Sequence, residues 1–191
     1  MKSIRGVPPR LSRMLLLSTA LLSCSREKPK TAVPPCDLVV QGTRIQCGGR
    51  PLPLPGSLSE WERVLGPPSR RLETSPTVHV WDELGLFVGT GLLSPQLKRF
   101  VVSWKPRGGG ETPESWPRSP FTGRLLVDGA EISSTSRLAE VNRDKKGAPF
   151  ARGPVGHVSS YILNETPGGV YVGLHFSKDE TPELFEIDFA Y

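Results

Sequence analysis

The chain of 191 residues is poor in the side chains from which metal and nucleophilic sites are built, since it has only three cysteines and three histidines. No Cys-x-x-Cys or His-Glu-x-x-His spacing brings them together, as a zinc site usually requires. The nucleotide signatures Gly-x-Gly-x-x-Gly and Walker A are absent, and so is the Gly-x-Ser-x-Gly nucleophile elbow. We therefore expect no metal, no cofactor and no catalytic residue.

The chain also has no apolar run long enough to cross a membrane. Such a crossing needs about 20 residues, and the run 14–22 (MLLLSTALL) has roughly half that number. The residues before this run include four basic side chains and no acidic one: Lys2, Arg5, Arg10 and Arg13. A basic segment followed by a short apolar run is typical of an export signal.

Residues 21–24, Leu-Leu-Ser-Cys, resemble the lipobox of bacterial lipoproteins, in which a small residue precedes the acceptor cysteine. The resemblance implies that residues 1–23 are a signal peptide, that cleavage occurs before Cys24, and that Cys24 then carries three acyl chains. Several chains anchor a protein stably, whereas a single chain holds it only reversibly. The alternative is an ordinary cleaved signal in which Cys24 is a coincidence.

Residues 24–35 then predict an extended tether of about 30 Å, followed by a single domain over residues 36–191. The residue directly after Cys24 is Ser25 and not an aspartate, which in Gram-negative lipoproteins resembles the signal for passage to the outer membrane. In a Gram-negative host we therefore expect a lipoprotein of the outer membrane that faces the periplasm. Removal of the leader takes away four positive charges and lowers the formal net charge from +5 to +1, so nucleic-acid binding is not expected.

Cys36 and Cys47 are an even pair in an oxidising compartment. The residues between them indicate two short strands around a turn at Gln41 and Gly42, which places the two cysteines opposite each other on the apolar side. We predict a structural disulfide, which contributes about 2 to 3 kcal/mol for so short a loop. Two buried free thiols and a redox pair are the alternatives.

Residues 57–66 predict a short amphipathic helix, which starts with a capping box at Ser57 and Glu60 and stops at Gly66. Alternating apolar residues predict strands over much of the remaining chain: 77–81, 86–90, 97–104, 125–132, 170–176 and 184–191. Asp128 and Gly129 suit a type I′ turn. We expect an α+β fold, predominantly an antiparallel β-sheet of roughly six to eight strands with one short N-terminal amphipathic helix packed on it.

Two long polar stretches, 105–120 and 133–156, are predicted to be loops. Trp116 in the first is a candidate partner contact, and a loop side chain tucked onto the domain is the alternative. Asp82 precedes a turn, where aspartate is common for local hydrogen-bonding reasons, so we assign it no catalytic role. The histidines are predicted to be half-exposed residues of strands rather than metal ligands: His79, His157 and His175.

Residues 57–68 resemble the helix motif of the small lipoprotein of the outer-membrane barrel-assembly machine and of β-lactamase-inhibitor-like domains, which are non-catalytic binding scaffolds. The longer pattern through residues 121–129 is more similar to a group of uncharacterised bacterial domains, many of them lipoproteins. These resemblances imply a membrane-anchored, non-catalytic module that binds a protein partner or supports the envelope, such as an inhibitor, an immunity protein or an assembly accessory. The rival interpretation is a periplasmic enzyme of unrecognised type.

Overall fold

The computed structural model describes residues 36–105, 114–152, 158–162, 171–176 and 184–191. The predicted signal peptide, Cys24 and the tether lie outside the described residues, and so does His157, so these assignments stay predictions. The described residues belong to one structural unit, Ala32–Tyr191. Neither helix in this part of the chain has the length and apolar character needed to cross a bilayer.

The described part of the chain contains thirteen strands and two helices. In chain order they are β1 (Leu38–Gln41), β2 (Arg44–Cys47), β3 (Arg50–Pro51), α1 (Leu58–Leu65), β4 (Arg70–Leu72), β5 (Val78–Trp81), β6 (Leu86–Gly91), β7 (Ser94–Ser103), β8 (Leu125–Val127), β9 (Ala130–Ile132), α2 (Leu138–Asp144), β10 (Ala151–Arg152), β11 (Val158–Ile162), β12 (Tyr171–Phe176) and β13 (Leu184–Ala190). One sheet has the order β3-β2-β1-β8-β9, and the other has the order β10-β11-β12-β13-β7-β6-β5-β4.

The α+β class and the predominance of antiparallel pairing are confirmed, but the expectation of a single antiparallel sheet is wrong. In the five-stranded sheet β1 pairs in parallel with β8, so that Leu38 lies opposite Leu125 and Val40 opposite Val127. Helix α1 and four strands of the other sheet separate these two partners along the chain. Such a non-local pairing leaves no mark on the local alternation of residues, which is why the sequence pattern does not indicate it.

The β1–β2 hairpin turns one residue later than predicted. Val40 pairs with Ile45, so the two-residue turn begins at Gly42, which has a φ of 55°. A glycine at the first central position is what a type II′ turn requires. Cys36 is therefore not directly opposite Cys47 in the ladder, yet the two form the predicted disulfide, with their Cα atoms 5.6 Å apart.

Helix α1 begins at a cap formed by Ser57 and Glu60. The Glu60 carboxylate accepts hydrogen bonds from the backbone N–H and the hydroxyl of Ser57, at 2.8 and 2.7 Å. These two bonds, the backbone one first, hold the pKa of Glu60 below its usual value. Trp61 and Leu65 are buried on one side of the helix, and Gly66, with a φ of 78°, ends it.

The indole of Trp61 lies in a cluster of aromatic rings that connects α1 to the eight-stranded sheet. Its ring centroid is 5.1 Å from that of Phe100 and 6.5 Å from that of Trp81, and Phe100 stacks on Phe189 at 5.2 Å. The indole N–H donates to the carbonyl oxygen of Pro53 at 2.8 Å, so the buried polar atom of the ring is satisfied. The same core includes buried side chains of the five-stranded sheet: Leu38, Val40, Ile45, Leu125, Val127 and Ile132.

Helix α2 lies inside the second polar stretch, which the sequence predicts to be a loop, so the expectation of a single helix is also wrong. Arg137 occupies its N-cap position without a side-chain hydrogen bond. Tertiary contacts hold the helix instead, because Val141 is buried and the Asn142 side chain donates to and accepts from the backbone of Phe150, at 2.9 and 2.8 Å. A helix with neither a cap nor a long apolar stripe gives no local signal in the sequence.

The β8–β9 hairpin turns at Asp128 and Gly129, and both φ angles are positive, at 47° and 92°, as the predicted type I′ turn requires. The Asp128 carboxylate also accepts a hydrogen bond from the N–H of Gly42 at 2.9 Å and lies 3.1 Å from Nζ of Lys145. The Lys145 side chain is 1% exposed, and a buried ammonium must be paired and hydrogen-bonded. Asp128 therefore joins two hairpins to the end of α2.

Replacement of Asp128 tests this junction. We expect Asp128→Ala to lower the free energy of unfolding by about 2 to 4 kcal/mol in urea denaturation, because it leaves a buried ammonium without its counter-charge. Asp128→Asn is the matched control for the turn: it also removes the counter-charge but keeps an oxygen acceptor for Gly42 and tolerates the positive φ, so it should lose less, and its loss reports the missing charge alone. A loss below about 0.5 kcal/mol for Asp128→Ala, as at an ordinary surface site, would contradict the junction.

Candidate binding face around Trp116

The eight-stranded sheet has a second apolar cluster on the face opposite the core, called here the outer face. Val80, Phe87 and Val101 are buried there and contact one another. Phe87 on β6 pairs with Val80 on β5 and with Val101 on β7, and directly paired residues point to the same side of a sheet. The three side chains therefore form a row across the middle of the outer face.

Trp116 packs against this row. The residue is half-buried, and Leu72 and Val78 also pack against the same cluster. The sequence left two possibilities for Trp116, a partner contact and a side chain tucked onto the domain. The structure places the ring against the sheet while part of its surface stays in solvent, so its packing on the domain does not remove it from the surface.

Asp82, directly after β5, fixes the segment that carries Trp116. The Arg70 guanidinium on β4 donates to both oxygens of the Asp82 carboxylate, at 2.8 and 2.9 Å. The same guanidinium donates to the carbonyl oxygens of Glu114 and Trp116, at 2.9 and 3.0 Å. The backbone N–H of Arg118 donates to Asp82 at 3.0 Å. One ion pair thus holds the chain on both sides of the tryptophan.

The Asp82 carboxylate is 8% exposed, and burial by itself would raise its pKa. Hydrogen bonds from Arg70 and from the backbone of Arg118, together with the two positive charges, outweigh burial and leave the pKa of Asp82 below its usual value. The carboxylate is therefore ionised at neutral pH. The Arg118 guanidinium lies 3.7 Å from it and is itself 70% exposed, so an exposed cation lies two residues along the chain from the tryptophan.

A second carboxylate on the outer face, Asp188 on β13, lies opposite Val101. Its oxygens are 3.0 Å from Nε2 of His175 and 3.3 Å from the Arg99 guanidinium. A Cβ atom at Gly173 would collide with this carboxylate, so a larger residue there would require the Asp188 side chain to shift. His175 is 26% exposed, close to the half-exposed position that the sequence predicts.

His79 does not match the same expectation, because it is only 4% exposed on the core side of β5. It borders a pocket of about 390 Å³ whose lining includes Leu58, Arg71, Thr90 and Leu92. Among the buried side-chain nitrogen and oxygen atoms of the described residues, Nδ1 of His79 is the one without a hydrogen-bond partner. Burial, and secondly the charge of Arg71, lowers the pKa of His79, so the ring is neutral at neutral pH.

The two described histidines thus lie on opposite faces of the sheet. Within the described ranges, no three histidine, cysteine, aspartate or glutamate side chains are grouped as metal ligands would be. What the outer face offers chemically is a half-buried aromatic ring, aliphatic neighbours and an exposed guanidinium. The sequence singled out Trp116 but not Arg70, because an arginine in a short strand carries no local sign of its partner.

A family model described as a domain of unknown function (DUF7738) matches residues 37–142, more than half of the chain. The matched range includes the five-stranded sheet, α1, β4 to β7 and the segment of Trp116. The strands β10 to β13 lie outside it. No curated protein and no solved structure matches the chain.

Removal of the Asp82 carboxylate should release the segment of Trp116. We expect Asp82→Ala to lower the free energy of unfolding by roughly 2 to 4 kcal/mol, because Arg70 loses a buried partner. Trypsin should then cleave the folded protein after Arg118 faster than in the wild type. The matched control is Glu131→Ala, which removes an exposed ion pair with Arg124 of the same 2.8 Å length and should cost about 1 kcal/mol or less. Equal effects of the two variants would contradict the role given to Asp82.

The buried imidazole predicts a pH dependence of stability. The pKa of His79 is lower in the folded state than its usual 6.5, so the unfolded chain binds the extra proton first. The free energy of unfolding should therefore be highest above pH 6.5 and fall as the pH drops below it toward the folded pKa. His79→Leu should flatten this decline and raise stability at neutral pH by about 1 kcal/mol, since it removes an unsatisfied polar atom.

Urea denaturation at several pH values between about 8 and 5 measures this effect, because these values lie on both sides of the ordinary histidine pKa. His175→Gln is the control, because His175 has a carboxylate partner and is partly exposed. If the free energy of unfolding falls in the same way in His79→Leu, protonation of another group causes the decline.

Proposed function

We propose that this chain, which belongs to the DUF7738 family of domains of unknown function, is a lipid-anchored, non-catalytic binding module of the bacterial cell envelope. Its partner is a protein, and the outer face around Trp116 is the surface that binds it. An inhibitor, an immunity protein and an accessory of envelope assembly are all roles of this kind. Nucleic acid is not a proposed partner.

One observation carries the binding role, namely a half-buried tryptophan fixed next to an exposed arginine. Trp and Arg are enriched at the centres of protein interfaces, where a few such residues carry most of the binding free energy. The Asp82 ion pair holds the backbone on both sides of Trp116 in place before any partner arrives. A side chain that is already ordered loses little conformational entropy on binding, which favours affinity.

The lipobox-like residues 21–24 support the anchored state, together with the basic and apolar segments before them. We propose that residues 1–23 are removed, that Cys24 carries the acyl chains, and that residues 24–35 serve as a tether. In a Gram-negative host the protein would then face the periplasm from the outer membrane. The disulfide between Cys36 and Cys47 suits such an oxidising compartment.

Affinity capture from the protein's own envelope tests the binding role. The full chain and its Trp116→Ala and Glu131→Ala variants are expressed at equal levels and recovered with bound proteins for mass spectrometry. We expect a reproducible partner whose yield falls about tenfold or more in Trp116→Ala, the loss typical of an interface hot spot, and is unchanged in Glu131→Ala. A partner that survives both substitutions would place the binding surface elsewhere.

A periplasmic enzyme is the second candidate, and the contact between His175 and Asp188 favours it, because a carboxylate that orients a histidine is a common part of general-base catalysis. The purified protein can be screened against ester, amide, glycoside and phosphate substrates. A turnover that disappears in His175→Gln would support the enzyme over the binding module. An absence of turnover in the wild type would count against it.

Metabolic labelling with radioactive palmitate tests the anchor. We expect label in the wild-type chain and in the Cys36→Ser, Cys47→Ser double variant, which removes the other two cysteines. Cys24→Ala should abolish the label, because the acyl chains have no other acceptor in the proposed scheme. Label that persists in Cys24→Ala would refute lipidation at this residue.

A further inference from the structure

The tip of the β6–β7 hairpin exposes two adjacent leucines. Leu92 is 72% exposed and Leu93 is 102% exposed, whereas Leu97 on the following strand is fully buried. Gly91 pairs with Ser94, so the two leucines form the turn between the strands and project beyond the sheet. Single exposed apolar residues are ordinary on a protein surface, but two large neighbours at the outermost point of a hairpin form a compact apolar tip.

We propose that the Leu92–Leu93 tip inserts into the surface of the membrane and forms a second contact there, besides the acyl anchor. The proposal rests on the proposed function, because a lipid on Cys24 keeps the domain within a tether's length of the bilayer. A tethered group meets its site at an effective concentration in the range of about 1 mM, so even a weak contact is occupied.

The charge of the hairpin fits an anionic bilayer. Residues 86–103, the two strands and their turn, contain no aspartate or glutamate and carry two cations, Lys98 and Arg99, of which Arg99 lies 3.3 Å from Asp188. Lys98 lies next to the tip, since a Cβ atom built on Gly91 would be 3.1 Å from Cδ of its side chain. Apolar residues flanked by lysine or arginine are the combination that binds membrane interfaces rich in anionic lipids.

Paired strands and the wall of a pocket lie directly behind the tip. Leu92 lines the pocket that contains His79, next to the two prolines Pro76 and Pro95. The two strands of the hairpin are paired from Leu86 opposite Val102 to Gly91 opposite Ser94, with register shifts on either side of Thr90. The leucines are therefore held outward by paired strands and do not need to unfold before they meet lipid.

Fluorescence from a dye at the tip tests the proposal in the complete, anchored protein. Leu93→Cys is labelled with an environment-sensitive dye and reconstituted into vesicles of phosphatidylcholine with phosphatidylglycerol. The same dye on Glu131→Cys, an exposed position of the five-stranded sheet, is the matched control. Cys36 and Cys47 are joined, so the introduced cysteine is the reactive thiol when Cys24 is acylated.

We expect the dye at position 93, but not the dye at position 131, to gain fluorescence and to be quenched by nitroxides on the lipid acyl chains. Leu92→Asp in the same chain should reduce the inserted fraction about tenfold, because the transfer of one leucine side chain from water to an apolar phase contributes a free energy of at least that size. Lys98→Gln should reduce it about fivefold on anionic vesicles and leave it unchanged on phosphatidylcholine alone.

Equal quenching at positions 93 and 131 would overturn the proposal, and so would an absence of quenching at position 93. A fluorescence gain at position 93 that depends on protein concentration and not on lipid would show that a second copy covers the tip, which also overturns it. Mass spectrometry of the N-terminal peptide separates this failure from failure of the anchor. An unmodified Cys24 refutes the proposed anchor, whereas an acylated Cys24 without quenching at position 93 refutes the tip contact alone.

Discussion

The central strands of the eight-stranded sheet carry apolar side chains on both faces, and the rest of the molecule is arranged to cover them. On the core face, Trp61 of α1 packs against Phe100, and the five-stranded sheet contributes to the same cluster. On the outer face the apolar area is a short row around Phe87, and Trp116 forms part of its cover. Because Trp116 is only half-buried, part of its ring remains exposed to solvent on this face. The proposed binding role rests on this exposed aromatic surface.

Three aspartates fix the relative positions of parts of the chain, which hydrophobic burial alone would not determine because it is non-directional. Asp82 joins β4 to the segment of Trp116, Asp128 joins two hairpins to the end of α2, and Asp188 joins β13 to β7 and β12. Desolvation offsets much of the attraction in a buried ion pair, so such pairs add little net stability but become costly when one partner is removed. Their main contribution here is to fix position, and at Asp82 the position fixed is that of the proposed binding surface.

The elements that could be predicted from the sequence are those with local signals. The cap at Ser57, the turn at Asp128 and the alternation along β5 to β7 depend on neighbours within a few residues, and the structure has each of them. The parallel pairing of β1 with β8 and the uncapped helix α2 depend on distant contacts, and no local pattern indicates them. The candidate site divides in the same way, because Trp116 is conspicuous in a polar stretch whereas its anchor, Arg70, acquires a role only when β4 pairs with β5.

These features describe a larger sheet with one face closed by the core and the other partly covered by Trp116, and the proposed function makes this second face the surface for a partner. Site-specific photo-crosslinking in the intact envelope tests that division most directly. A photoreactive amino acid replaces Glu114, an exposed residue two positions before Trp116, or Glu131 on the other sheet as the reference. Binding through the outer face predicts a discrete crosslinked protein from position 114 that is absent from position 131 and lost on Trp116→Ala. The same crosslinked protein from both positions at equal yield, or none from position 114, would contradict it.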